Sequence, residues 1–193
     1  MQITRPQGLR PIPKNASKVF EGQIFDVYQW PQKMFDGSTV TFEKLKRPDT
    51  VSILPITNQK TILMARQQQP GMSEFISLFG GRVDPGEEPW QAAKRELLEE
   101  SGYQSSSWEL WKAEQLLEKV DWAIFTFIAK DCELVKPQNL DSGEKISVFE
   151  VPFSEFVELI FKSNFRDREI TMMMLLEKEK LGSWNKVAEK LLK

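Results

Sequence analysis

The segment from Gly81 to Tyr103 constrains this chain more than any other: a glycine-bearing loop, GRVDPGEE, runs into a short helix, PWQAAKRELLEES, that stops at Gly102. Pro89 suits the first helical turn, where its missing N–H would be unpaired anyway. Gly102 suits the left-handed position just past the last turn. Trp90, Ala93 and Leu97 recur at helical spacing and make an apolar stripe that faces a core. Glu96, Glu99 and Glu100 are related by i,i+3 and i,i+4 spacing and project together toward the loop. Gly80, Gly81 and Gly86 let the preceding backbone bend tightly and bring its carbonyls or amides close to a ligand. Whatever the fold, this helix must lie between a core and the glycine loop.

The three glutamates crowd the helix C-terminus, where the macrodipole already presents negative charge. Like-charge pairs at roughly 0.2–0.5 kcal/mol and misplaced charges at roughly 0.3–1 kcal/mol sum to a loss on the order of 1–3 kcal/mol. Arg95 can answer Glu99 one turn on, but one guanidinium does not neutralise three carboxylates. A solvated acidic face is the plain alternative; a hard divalent cation is the better answer. Oxygen-only ligands favour Mg2+ or Mn2+ over zinc. Histidine is absent from all 193 residues, which removes His-based triads, imidazole zinc sites and histidine general bases.

At this point the segment resembles the Nudix box, G-x5-E-x7-R-E-U-x-E-E-x-G-U, with Gly81, Glu87, Arg95, Glu96, Leu97, Glu99, Glu100 and Gly102 in register. Only Tyr103 departs, standing where an aliphatic residue is usual. The resemblance implies an α/β/α sandwich with a mixed β-sheet and a loop and helix that hold metals against a diphosphate. It implies Glu96 and Glu100 as principal metal ligands, Glu99 as ligand or partner, and Gly80 as a backbone ligand. Gly81, Gly102, Glu87 and Arg95 fall to structural roles, the last two holding loop to helix. Relatives of the ADP-ribose type use a glutamate from a loop downstream, which points to Glu144 in Asp141-Ser-Gly-Glu144 as general base, with Glu99 as the alternative. Arg66 is placed like an arginine aimed at the diphosphate, and Arg82 could serve likewise.

The rest of the chain reads consistently with that frame. Residues 1–17, with four of their positions Pro or Gly, form an irregular arm. Strands are expected over 18–30 and 38–46 around Asp36-Gly37, a hairpin dipeptide, and over 50–56 and 60–66 around Asn58-Gln59. A loop over 67–79 leads to the glycines. After the helix, strands are expected over 108–117, 120–130 and 146–151. Ser154, Asp167 and Ser183 are candidate caps for three C-terminal helices, in which Met172, Met173 and Met174 fill a core with Ile170, Leu175 and Leu176. Strands with helices on both sides make an α/β/α sandwich. Residues 1–48 form an N-terminal β-sheet extension and 49–193 the hydrolase domain. In similar pyrophosphatases such an extension builds a homodimer and closes the pocket, and here Phe25, Tyr28 and Trp30 offer rings that could stack a base.

The expected activity is metal-dependent hydrolysis of ADP-ribose or a nucleoside-diphosphate sugar to a nucleoside monophosphate and a sugar phosphate. ADP-ribose enzymes commonly carry a proline a short way past the box, whereas here none lies between Pro89 and Pro137. A nucleoside-triphosphate pyrophosphohydrolase and a non-hydrolytic nucleotide sensor are the alternatives. A diphosphate isomerase would want a cysteine and usually a histidine near the site, and Cys132 lies well after the box. Net charge of −2 gives no basic surface for nucleic acid. A lone cysteine, no opening signal segment and no membrane-length apolar run point to a cytoplasmic protein acting on a small-molecule nucleotide, as a homodimer, without a membrane partner.

Overall fold

A computed structural model describes residues 3–193. Two sheets carry the chain. The smaller has the order β1-β2-β3-β9, built from Ser17–Glu21 (β1), Asp26–Lys33 (β2), Thr39–Lys46 (β3) and Val120–Asp121 (β9). β2 and β3 form the antiparallel hairpin whose turn contains Gly37 at φ +88°. The single strand expected over 18–30 is two: the chain reverses at Gly22, whose N–H donates to the Phe25 carbonyl at 3.1 Å. The alternation of residue types runs through this turn, so it hid the break.

The larger sheet has the order β11-β5-β4-β10-β7, with Thr50–Thr57 (β4), Ile62–Gln68 (β5), Tyr103–Gln104 (β7), Ile124–Leu134 (β10) and Lys145–Val151 (β11). Phe75–Ser77 (β6) adds to β5 and Ser107–Glu114 (β8) to β10. β6 lies inside the expected 67–79 loop. β4 and β10 run parallel at the centre, and β4 is buried almost throughout, as a strand covered on both faces must be. One apolar run, residues 120–130, serves both sheets. It joins β3 as β9, crosses over at Trp122-Ala123, and joins β4 as β10.

Alternation sends β4 and β5 side chains to two cores. Val51, Ile53, Leu63 and Ala65 meet Ala92, Ala93 and Leu97 of Pro89–Ser101 (α1) on one face. Leu54, Ile56, Ile62 and Met64 meet Phe153–Leu159 (α2), Arg168–Leu181 (α3) and Trp184–Leu191 (α4) on the other. This is the α/β/α sandwich. Full burial of Leu97 contributes about 1.5–3 kcal/mol. α2 begins after Pro152, so Ser154 lies within it rather than at its cap. Met173 and Met174 are buried, whereas Met172, Leu175 and Leu176 face solvent. Among the described residues no helix is long and apolar enough to cross a membrane.

β4 and β5 pair only at Ile56↔Ile62 and then diverge. Into the opening comes the segment after β6, which pairs with β4 instead: Ile53 N–H donates to the Phe79 carbonyl and Val51 N–H to the Gly81 carbonyl, both at 2.9 Å. The split sheet makes a cleft, and the glycines form part of its wall.

Candidate active site

Gly80 lies flat against β4, where a Cβ would strike the Val51 carbonyl oxygen. A Cβ on Gly81 would instead strike the Glu96 carboxylate. These contacts explain why side chains are missing at both positions. They also fix the loop so that the Gly80 N–H donates to Glu100 Oε2 at 2.8 Å. α1 starts with a reciprocal cap, in which Glu88 N–H donates to the Gln91 side chain at 3.1 Å, and Pro89 fills the first turn. It ends at Gly102, φ +78°, whose N–H returns to the Leu98 carbonyl.

Arg95 reaches further than its sequence position suggests. Its guanidinium grips Glu87 through two bonds of 3.1 and 3.0 Å, Glu96 at 2.8 Å, Glu99 at 3.2 Å and the Arg82 carbonyl at 2.9 Å. The hydrogen bond from Arg95 holds the Glu87 carboxyl below the usual range. Glu100 gets no such help. It is 5% exposed, its carboxylate accepts one hydrogen bond among the described residues, from the Gly80 amide, and burial pushes its carboxyl well above the ordinary value, with Glu96, Glu144 and Asp167 adding repulsion. Glu96 is also raised by burial, against the pull of Arg95.

Glu100, Glu144, Gly80, Gly81 and Arg82 line one cleft of about 400 Å3. Burial raises the Glu144 carboxyl too, with Asp141 and Glu99 adding to it. Glu96 and Glu99, both expected as ligands, are turned to Arg95 and are not among the lining residues. Nor is Arg66, whose guanidinium lies over Phe149 and 3.5 Å from Glu74. Strand alternation decides this: Gln67 faces the cleft, so its neighbour Arg66 on β5 points to the other face. Trp30 is 5% exposed and packs on Phe42, and Tyr28 lies beneath Lys46, so neither offers a face to the cleft. Phe25 borders it indirectly, 5.7 Å from the Arg47 guanidinium.

Five cleft residues escape a reading of the sequence: Arg47, Trp122, Arg166, Asp167 and Glu169. Arg47 lies over the Trp122 ring at 4.7 Å, and Trp122 is held by its Nε1–H bond to Thr50 Oγ1 at 3.0 Å. Asp167 precedes α3 at the cap position, but its carboxylate accepts from the Leu78 N–H at 2.6 Å instead of capping, and burial lifts it to about 7. The cap pattern at Asp167 was the one sequence signal in this group, and it led to the helix rather than to the cleft.

A NUDIX domain model matches residues 46–174, which carry the loop, α1 and the walls of the cleft. The chain belongs to the Nudix family. It is a pyrophosphohydrolase of that family, with the box glutamates all present. An ADP-ribose pyrophosphatase from Bacillus subtilis is 27% identical over 74% of this chain and 79% of its own length. A methanol dehydrogenase activator from Bacillus methanolicus is 27% identical over 79% of this chain and 84% of its own. The crystal structure of an ADP compounds hydrolase shares the fold, with a TM-score of 0.71 at 22% identity, covering 94% of this chain and 97% of that one.

Nudix hydrolases generally use divalent metal ions, and the donors here suit them. Among the described residues no three acidic or cysteine side chains converge tightly enough to enclose an ion alone. A hard divalent cation does not require such a cage, since one or two carboxylates can hold it while water and substrate phosphate complete its shell. The buried Glu100 carboxylate, without a cationic partner, is the observation that calls for such an ion.

Proposed function

We propose that this Nudix hydrolase cleaves ADP-ribose or a nucleoside-diphosphate sugar, in an Mg2+- or Mn2+-dependent reaction, to a nucleoside monophosphate and a sugar phosphate. The observation that carries the reading is the two-part chemistry of one cleft. A buried, unneutralised Glu100 and the Gly80-Gly81 wall stand in it together with a guanidinium stacked on an indole, Arg47 on Trp122. Carboxylates that need cations suit the diphosphate, and a flat cationic surface suits phosphate oxygens or a base. The likeness to a protein named ADP-ribose pyrophosphatase supports the substrate class.

Glu96, Glu100 and the Gly80 carbonyl would hold the ions, with Glu99 as a further ligand or a partner through Arg95. When bound, the cations relieve charge on the phosphoryl oxygens and lower the pKa of a coordinated water. Glu144 takes a proton from the attacking water as its oxygen bonds to phosphorus and the bridging P–O bond breaks. Its raised carboxyl makes it a stronger base than an exposed glutamate, and its place in the cleft favours it over Glu99. Glu87 and Arg95 keep the loop on the helix, and Arg82 faces the same space.

We assign residues 1–48 to an extension and 49–193 to the hydrolase domain. The extension leaves Val19, Phe20, Ile24, Phe35 and Val40 exposed, which supports a homodimer through the small sheet. A cytoplasmic location accords with Cys132, a buried free thiol that burial pushes up to about 12.

Incubation with Mg2+ and ADP-ribose, several nucleoside-diphosphate sugars and nucleoside triphosphates tests the reading. Nucleoside monophosphate plus sugar phosphate is the expected product pair, lost in Glu100→Gln. Pyrophosphate released from triphosphates would replace it with the triphosphate reading, and tight binding without turnover would make the domain a sensor.

A further inference from the structure

Two guanidiniums in the cleft, Arg47 and Arg166, form no ion pair with any carboxylate among the described residues. For Arg47 this is arranged. Its Nε is buried without a hydrogen-bond partner. Asp49, two residues on, and Asp121, whose carbonyl accepts the Arg47 N–H at 3.3 Å, are both taken by Arg5, which binds Asp49 at 2.6 and 2.9 Å and Asp121 at 3.0 Å. Asp49 also accepts the Ala123 N–H. The N-terminal arm thus ties down the acids beside Arg47 and leaves its charge free.

Arg166 comes from the opposite end of the chain on an equally fixed backbone. Its N–H donates to the Ile76 carbonyl at 2.8 Å, and the Ile76 N–H donates to the Asn164 carbonyl at 2.9 Å, so residues 164–166 are stitched along β6. Phe165 is buried between them and the core. The Arg166 guanidinium lies over Phe75, 5.0 Å from the ring centre. Its chain neighbour Asp167 gives its carboxylate to the Leu78 N–H and not to Arg166. Arg166 is also close enough to Arg47 that its charge, after burial, lowers the Arg47 pKa. Glu169, in the same cleft, and Asp167 feel the Arg166 charge but form no ion pair with it. Two like charges held near each other in one cleft, neither closed into an ion pair, are the arrangement an anion would complete.

We propose that Arg166 is a substrate-binding residue that, with Arg47, grips the diphosphate oxygens of the substrate. This rests on the reading of the cleft as a diphosphate site and adds the residue that supplies anion affinity independently of metal. Because Arg166 contacts the charge that substrate and transition state share, its loss raises KM and spares kcat.

The test is calorimetric titration of α,β-methylene-ADP into metal-free protein in EDTA, where the glutamates repel the probe and the guanidiniums alone attract it. Arg166→Gln is expected to weaken binding by about tenfold and Arg166→Lys by less, with both melting near wild type because the exposed Arg166 side chain makes no ion pair or hydrogen bond among the described residues and only lies over Phe75. Arg47→Gln combined with Arg166→Gln is expected to cost less than the product of the single losses, since both grip one anion. Binding by Arg166→Gln within twofold of wild type overturns the proposal, as does strict multiplicativity of the pair or no probe binding by wild type. Turnover with Mg2+ and ADP-ribose reports separately on the proposed function: its absence from wild type would refute that reading while the metal-free comparison still stands.

Discussion

The acidic face of α1 divides into two halves with opposite fates. Glu87 from the loop and Glu96 and Glu99 from the helix converge on Arg95, whose guanidinium binds all three. Glu100, on the same helix, is the most buried of the four and has only one backbone amide. One half is a clasp whose charge Arg95 already answers in part, so that Glu96 and Glu99 stand folded before any ligand arrives. The other is a buried charge that folding leaves unanswered, which is a cost unless a ligand supplies the opposite sign. The difference separates what the box does for stability from what it does for chemistry, although all four residues belong to one motif.

Glu100→Gln gives the largest effect and tests the division directly. The amide oxygen can still accept the Gly80 N–H, so the fold is kept while the charge is lost. Activity should fall by on the order of 10²- to 10⁴-fold, the worth of several kcal/mol of cation-assisted catalysis. Melting in EDTA should hold or rise, because a buried unpaired carboxylate has gone. A large drop in metal-free stability would mean that Glu100 belongs to the clasp.

Arg95→Met addresses the other half. Removing the guanidinium strands three carboxylates at once, and the expected destabilisation is about 2–4 kcal/mol, somewhat below the range for fully buried pairs because Arg95 is 30% exposed. Urea unfolding in EDTA measures it. Mg2+ should recover part of the loss by answering the freed Glu96 and Glu99. A cost under about 1 kcal/mol would reduce the clasp to an ordinary surface ion pair.

The clasp and helix were legible in the sequence because the residues that make them lie close together in it. Pro89, Gly102 and the Glu87–Arg95 spacing act within a few turns of each other. The far wall was not legible. Arg47, Trp122 and Arg166 reach the cleft only because β9 leaves one sheet for another at Trp122-Ala123 and residues 164–166 dock on β6. Arg66 shows the converse: it has the right residue type and neighbourhood, but the pleat points it away. Trp30 likewise is an aromatic residue used for packing.

Gly81→Ala should have an intermediate effect, because the new methyl group must displace the Glu96 carboxylate from the loop. Overpacking of this kind costs about 1–3 kcal/mol. It strains the clasp where the two halves meet, so titration with Mn2+ should show weaker metal binding along with the lower stability. Stability loss with unchanged affinity would place Glu96 wholly in the clasp.

Asp167 extends the comparison beyond the box, as a second carboxylate, half-buried and held by one amide. Its carboxyl is raised from 3.8 to about 7, so between those values the folded protein holds a proton that the unfolded chain has released. Its contribution therefore lowers stability as pH rises through that window. Asp167→Asn keeps an acceptor for the Leu78 N–H and removes the titration. Melting temperatures of the metal-free variant should lose that part of their decline from pH 4 to pH 7. An unchanged profile would show that the proton is taken up elsewhere in the acidic cleft.

Arg66→Gln should be the smallest effect, and its smallness is informative. Arg66 carries the residue type expected to meet the diphosphate, yet it is over half exposed, beside Glu74 and across Phe149. Stability should change by no more than about 0.5 kcal/mol, and KM should stay near the wild-type value. If KM instead rose as steeply as in Arg166→Gln, the substrate would have to draw Arg66 around the edge of β5. The anion-binding wall would then be formed on binding rather than present in the folded chain.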